Sequence, residues 1–248
     1  MNSIKRLARK AKSKLSRLVI KHLFGDHIFE NMKAYGKIFQ YISNEYQGYS
    51  RRDGVDCCIY EFGCGSGLSG YELIKAAHDS DIKIVRYLGF DSFQGLPAME
   101  PEDQRRWSQG DFLYSEEQCI QNIRSAAQEN ADITVTKSDF SQLERISQAE
   151  QIPWVIHIDC DLYSSTLHAL NACAGIIGRG GGIICFDDYF SGALVGARGE
   201  REAFEEFCES ANIHAVQWLS YAHNGYIFII PSQNHKSGAH DKTYQSQN

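Results

Sequence analysis

Between residues 56 and 231 short apolar runs alternate with longer segments whose apolar positions recur every three or four residues. The runs are CCIYEF (57–62), IVRYLGF (84–90), ITVT (133–136), WVIHID (154–159) and GGIICF (181–186), followed by AVQWLSYA (215–222) and GYIFIIP (225–231). Their length and composition predict β-strands. Helices are predicted over 68–78, 115–129, 141–149, 164–177 and 198–210. Almost wholly apolar strands separated by helices imply a parallel sheet covered on both faces, with ligands gathered at the carboxyl ends of the strands. Only His223 and Asn224 separate the last two runs, which therefore predict an antiparallel hairpin at the sheet edge. The expected fold class is α/β: a doubly wound, mostly parallel seven-stranded sheet ending in a C-terminal antiparallel hairpin.

Composition adds one domain and two unlike ends. A chain of 248 residues, 43% hydrophobic with four prolines, supports a single core, placed here at 25–231 with a helical lid region over 25–55. The first 24 residues carry eight Lys/Arg and no acid, with Ile4, Leu7, Ala8, Ala11, Leu15, Leu18 and Val19 at helical spacing. That is a basic amphipathic helix, read as a solvated terminus, as a peripheral contact with anionic lipid at the inner face of a membrane, or as the seat of a partner or second subunit. The net charge of −6 therefore leaves the rest of the chain near −14, and such an acidic body argues against a nucleic-acid partner. Residues 232–248 are too polar to pack and are expected to be disordered. No apolar run is long enough for a membrane span or a secretory signal. The eight cysteines form no CxxC pair, so they read as reduced thiols of a cytoplasmic protein, without zinc.

Glycines 63, 65, 67 and 70 cluster directly after the first strand, where missing Cβ atoms let backbone approach a ligand. Two registers fit. Gly65-x-Gly67-x-x-Gly70, with Asp91 21 residues beyond Gly70, matches a dinucleotide fingerprint and so a dehydrogenase. Read from Glu61, EFGCGSG gives an acidic strand end and then Gly63, Gly65 and Gly67, which resembles the first motif of S-adenosylmethionine-dependent methyltransferases. A turn with no ligand is the third reading. In the ligand-binding readings Asp91, with Ser92 beside it, is placed to accept from ribose hydroxyls, and Asp139 and the Phe140 backbone to meet an adenine edge; strand-end capping is the alternative for both acids.

The fourth and fifth strands end in HIDCDLYSST and CFDDY, so Asp159, Asp161, Asp187 and Asp188 converge on one crevice of a parallel sheet. Carboxylates gathered without a Lys or Arg in either motif repel one another unless a cation joins them. Their hard oxygens favour Mg²⁺, with Ca²⁺ or Mn²⁺ as alternatives. Solvated loop acids that cap the next helices are the plain reading. Asp159 and Asp161 share a face only if the strand continues between them. A DxD of this kind also occurs in metal-dependent glycosyltransferases, which would leave the glycine turn unexplained.

Taken together, EFGCGSG, YLGFDSFQGLP, RRWSQGDF, IDCDLYSST, GGIICFDDY and GARGEREAFEEF resemble the macrocin O-methyltransferase family, over about Tyr60 to Phe207. The resemblance implies a Rossmann-like class I methyltransferase fold, S-adenosylmethionine as methyl donor, and a Mg²⁺ held by Asp159, Asp187 and Asp188. It implies as acceptor a hydroxyl of a sugar or glycosylated natural product; a catechol-type small molecule, which also chelates a metal, is the alternative. The departures are SDFSQLERI after the third strand, where the family tends toward a Gly-x-Phe element, and the unmatched part before Tyr60. Catalytic candidates are Asp159, Asp161 and His157, any of which would take the acceptor's proton; His223 is a further residue near the crevice, and a non-catalytic donor-binding module is the reading from another class.

Overall fold

The structure, a computed structural model, describes residues 26–47, 56–99, 106–146, 152–180, 182–193 and 196–232. The basic segment 1–24, residues 48–55 of the expected lid region and all but Ser232 of the polar tail lie outside the described residues.

In chain order the elements are α1 (Asp26–Gln47), β1 (Asp56–Phe62), α2 (Leu68–Asp79), β2 (Lys83–Asp91), α3 (Glu116–Ala126), β3 (Asp132–Lys137), β4 (Val155–Ile158), α4 (Tyr163–Gly180), β5 (Gly182–Phe186), α5 (Glu200–Ala211), β6 (Val216–Tyr221) and β7 (Gly225–Ile230). They build one seven-stranded sheet ordered β3-β2-β1-β4-β5-β7-β6. The first five strands are parallel, and β7 pairs antiparallel with both β5 and β6. The α/β, doubly wound, mostly parallel class with its terminal hairpin is thus the observed one. Among the described residues no helix is long and apolar enough to cross a membrane.

The alternation of side chains along each strand divides the interior in two. Cys57, Ile59, Val155, Ile183, Cys185 and Ile227 face one layer, made with α1, α2 and α3. Cys58, Tyr60, Phe62, Ile156, Ile158, Ile184, Phe186 and Phe228 face the other, under α4 and α5. Both faces of β1, β4 and β5 are buried, which is why these strands read as unbroken apolar runs. All eight cysteines are free thiols, and seven of them are buried.

Two expectations change. The helix expected over 141–149 is not formed over its described part, 141–146: a single 3₁₀ turn spans Phe140–Gln142, and no regular structure follows it as far as Ile146. Phe140, Leu143 and Ile146 pack on the α4 layer, and the Ile146 amide donates to the Ala172 carbonyl at 2.9 Å, so a tertiary bond takes the place of a helical one. The second change concerns the lid region. Its α1 is no detached cover, since Ala34, Tyr35, Ile38, Phe39 and Ile42 are core residues.

Phe186 anchors the α4/α5 layer, with ring centroids 4.8 Å from Phe204, 5.5 Å from Tyr189 and 6.0 Å from Phe228. Phe186→Ala is expected to cost about 3–5 kcal/mol in urea unfolding, from lost burial plus the cavity left behind. Leu113→Ala, at a side chain 66% exposed, is expected to change stability by less than about 0.5 kcal/mol. Equal losses would contradict the assignment of the core.

Candidate active site

The sheet's chain order reverses between β1 and β4, and at such a reversal the loops at the carboxyl ends of the strands part to leave a crevice. A cavity of about 840 Å³ opens there, lined by the β1–α2 turn, the ends of β2 to β5, and residues from the loop before α3. Its volume lies within the range of small-molecule sites.

The glycine turn forms one wall. Gly63 has φ +87°, and its amide donates to the Phe90 carbonyl at 2.8 Å; a Cβ there would overlap the Asp159 carbonyl oxygen, so β1 and β4 approach closely only with glycine at this position. The Gly65 amide donates to Asp91 Oδ2 at 2.8 Å, and the Phe93 amide donates to Asp91 Oδ1 at 2.7 Å. Burial raises the Asp91 pKa, and these two backbone donors oppose the rise. Gly67, with φ +78°, caps α2, and a Cβ on it would meet the Cys119 carbonyl; its task is the packing of α2 on α3, and it does not line the cavity. Gly70 likewise makes room for the Tyr87 hydroxyl and the Glu61 carboxylate. Two of the three glycines in the dinucleotide register are therefore spent on packing.

Ser92, Asp139 and Phe140 also line the cavity, beside Asp91. Asp139 Oδ1 accepts from the Ser141 amide at 2.8 Å and caps the 3₁₀ turn. Glu61, expected at the ligand, is absent from the lining and fully buried. Its carboxylate accepts from the Tyr87 and Ser69 hydroxyls and lies 3.1 Å from His157 Nδ1. His157 is corrected in the same way. It is fully buried behind β4, with Nε2 2.9 Å from the Tyr35 hydroxyl, and so has no path to an acceptor in the cavity. Burial works to lower its pKa, but the Glu61 carboxylate outweighs that and raises it.

Asp159, Asp161, Asp187 and Asp188 line the opposite wall. β4 ends at Ile158, and Asp161 adopts φ +60°, so the chain turns between the two aspartates. Asp161 nevertheless stays with the group through a hydrogen bond to Asp188. Burial raises the Asp159 pKa well above the usual carboxylate range, and Asp187 and Asp161 raise it further. Burial and Asp188 do the same for Asp161, against the opposing charge of Arg106. Arg106 reaches to 3.6 Å from Asp188 Oδ1, and the Ser191 hydroxyl donates to the same oxygen. The donor set fits a hard divalent cation by its chemistry. Among the described residues, however, no three such groups stand at ligand spacing, and a cation on Asp188 Oδ1 would take the place that Arg106 and Ser191 hold.

Sequence reasoning missed several residues that line the cavity, and one, Glu200, that stands behind its lining. Glu200, fully buried at the start of α5, accepts from the Cys160 amide at 2.9 Å and the Asp188 amide at 3.0 Å, tying the β4 and β5 ends together. Trp107, Phe112 and Tyr114 supply an aromatic wall, with Arg106 4.5 Å above the Trp107 ring. Asn31 of α1 and Glu72 of α2 line the inner end. Glu72 is a charge set among Gly70, Leu73, Ile74 and Ala76 in a buried helical stripe, a signal legible in the sequence. Burial, then Asp187 and Glu61, push its pKa up to about 8, with the Asn31 hydrogen bond acting the other way.

A family profile described as Macrocin-O-methyltransferase (TylF) matches residues 50–219. No curated protein matches the sequence. Among solved structures, the O-methyltransferase NovP is similar at 19% identity over 80% of this chain and 78% of that one, with a TM-score of 0.60. The calicheamicin methyltransferase CalS11 is similar at 16% identity over 80% and 91%, with a TM-score of 0.49. An O-methyltransferase from Bacillus cereus in complex with SAH is similar at 15% identity over 87% and 96%, with a TM-score of 0.47. At 19% identity the likeness to NovP speaks for the fold.

The raised pKa of Glu72 yields a signed prediction. An unfolded glutamate ionises near pH 4.5 and the buried one near 8, so the folded chain holds this proton more tightly and loses stability as pH climbs between those values. Glu72→Gln is expected to leave Tm nearly unchanged at pH 5 and to raise it at pH 9, by about 2–4 °C for each kcal/mol relieved. A gain independent of pH in differential scanning fluorimetry would contradict the buried, ionisable reading.

Proposed function

Because the chain belongs to the macrocin O-methyltransferase family, and is on that ground an S-adenosylmethionine-dependent O-methyltransferase, we propose that it methylates a hydroxyl of a sugar or glycosylated natural product with the help of Mg²⁺. The observation that carries the reading is a single cavity with the glycine turn and Asp91 on one wall and four aspartates on the other. Residues 25–231 form the methyltransferase domain in this reading, flanked by the basic segment and the polar tail.

The donor, when bound, supplies an electrophilic methyl group on a sulfonium. Gly63 and Gly65 bring bare backbone to it, Asp91 and Ser92 take the ribose, and Asp139 with the Phe140 backbone takes the adenine edge. Asp159, Asp187 and Asp188 are the carboxylates that would hold Mg²⁺ once Arg106 and Ser191 give up Asp188 Oδ1, and the ion would lower the pKa of an acceptor hydroxyl and orient its oxygen. Asp159 or Asp161 receives the proton, since both line the cavity while His157 is sealed behind it. Glu200 fixes the spacing of the two aspartate-bearing loops by accepting from an amide in each. Trp107, Phe112 and Tyr114 offer ring faces to the acceptor. Donor and acceptor held in one crevice exchange a bimolecular encounter for an oriented one.

Calorimetry with S-adenosylmethionine is expected to show binding that survives EDTA, with no response to NADH. Turnover of a glycoside panel is expected to need added Mg²⁺. Asp188→Asn should lower turnover by roughly 100-fold or more and leave donor affinity within about threefold, a change of under 1 kcal/mol. Donor binding lost together with turnover would assign Asp188 a structural role, and turnover of catechols in preference to glycosides would replace the sugar acceptor.

A further inference from the structure

At the inner end of the cavity two acceptor oxygens are buried without a donor. Glu72 Oε1 and Asn31 Oδ1 have no hydrogen-bond partner among the described residues, although both side chains line the cavity and are only 2% and 6% exposed. The Asn31 amide group itself hydrogen-bonds the Glu72 carboxylate, so the pair is held in place, and Glu72 Oε1 and Asn31 Oδ1 remain unpartnered on two residues that line the same cavity. Buried acceptors of this kind are costly unless a ligand or water supplies protons. No Lys or Arg forms an ion pair with Glu72 among the described residues. Asp187 and Glu61 add negative charge nearby.

We propose that Glu72 and Asn31 form a subsite for a primary ammonium group. Such a group carries three donors on one atom, enough for both orphaned oxygens. It also brings the positive charge that this acidic corner lacks, whereas a hydroxyl brings neither. The corner adjoins Leu68 and Ser69, which line the cavity just beyond the glycine turn and on the α2 side of it, away from Asp139 and Phe140. In the methyltransferase reading, with Asp91 on the ribose and Asp139 and Phe140 on the adenine, the amino-acid end of the donor is the part left to reach this corner. An amine on the acceptor has the same chemistry. The proposal rests on the methyltransferase reading only for which molecule carries the amine.

The test is a ligand-and-mutant cycle on the full chain by calorimetry. S-adenosylhomocysteine and its deaminated analogue are each titrated into the wild type and Glu72→Gln. Removing the amino group is expected to weaken wild-type binding by about 10–100-fold, the worth of a hydrogen bond to a charged group. In Glu72→Gln it should cost less than about threefold, because the charged partner is gone. Asn31→Ala gives the same sign with a smaller loss and serves if the first variant does not fold. A second arm compares methyl glucosaminide with methyl glucoside on the same proteins, saturated with S-adenosylhomocysteine where it binds. Coupling in the first arm assigns the donor's ammonium, and coupling in the second alone assigns the acceptor's. No coupling in either arm overturns the subsite. A wild type that binds neither S-adenosylhomocysteine nor its analogue sinks the methyl-donor reading instead, and leaves the subsite to be decided by the glucosaminide.

Discussion

One carboxylate in the middle of the protein sets much of the rest. Glu61 is fully buried, and a charge in that position persists only if it is paired and hydrogen-bonded. Its partners come from three elements: Tyr87 on β2, Ser69 on α2 and His157 on β4 surround it at the end of β1. The parallel register places His157 directly opposite Glu61, and Gly89, its neighbour on the other side, leaves room for the Tyr87 ring. The first turn of α2 is thereby fixed relative to three strands, and the glycine turn between β1 and α2 has little freedom left. The geometry of the glycine turn is thus inherited from a polar knot whose central carboxylate does not line the cavity.

The opposite wall follows a different logic. Its aspartates sit where β4 and β5 end, and their mutual repulsion is held in check by backbone rather than by opposite charge alone. Glu200 joins the two loops through main-chain amides, adding a further acid to a region already rich in them. Burial raises the pKa of Glu200, with Asp188 contributing, and the Cys160 amide opposes the rise. Arg106 is a side-chain cation paired at this wall, and it comes from the loop that also carries the aromatic residues lining the cavity. Charge balance at the aspartates and the shape of the acceptor wall are therefore properties of one loop.

The architecture was legible in the chain because its two periods are clean. Strands buried on both faces carry few polar residues to blur them, Glu61 on β1 and His157 on β4 among these, and the two-residue separation at His223 and Asn224 admits only a tight turn. The helix expected over 141–149 does not form over 141–146 for a physical reason: Phe140, Leu143 and Ile146 are spaced as a helical stripe, yet they pack on the α4/α5 layer through one 3₁₀ turn and an irregular segment. In the site, aspartates at strand ends were readable because a parallel sheet gathers such ends. Glu61 and His157 were misplaced because spacing along a strand says nothing of whether a side chain turns toward the crevice or toward the helices behind it. Asn31 lies on a helix that reaches the cavity only through tertiary packing, and no local pattern announces it; Arg106 falls within RRWSQGDF, but nothing in that stretch names Asp188 as its partner.

Tyr35 gives α1 a consequence for where this protein begins as a folding unit. The family profile starts at residue 50, after α1 has ended. Tyr35 is nonetheless fully buried against His157 and Tyr221, with Ile38, Phe39 and Ile42 beside it in the core. A fragment cut at the homology boundary would open the His157 side of the Glu61 knot to water and uncover an apolar face of the sheet. The stretch that evolution keeps recognisable is thus shorter than the stretch that folds, and expression boundaries drawn from sequence similarity would remove part of the interior.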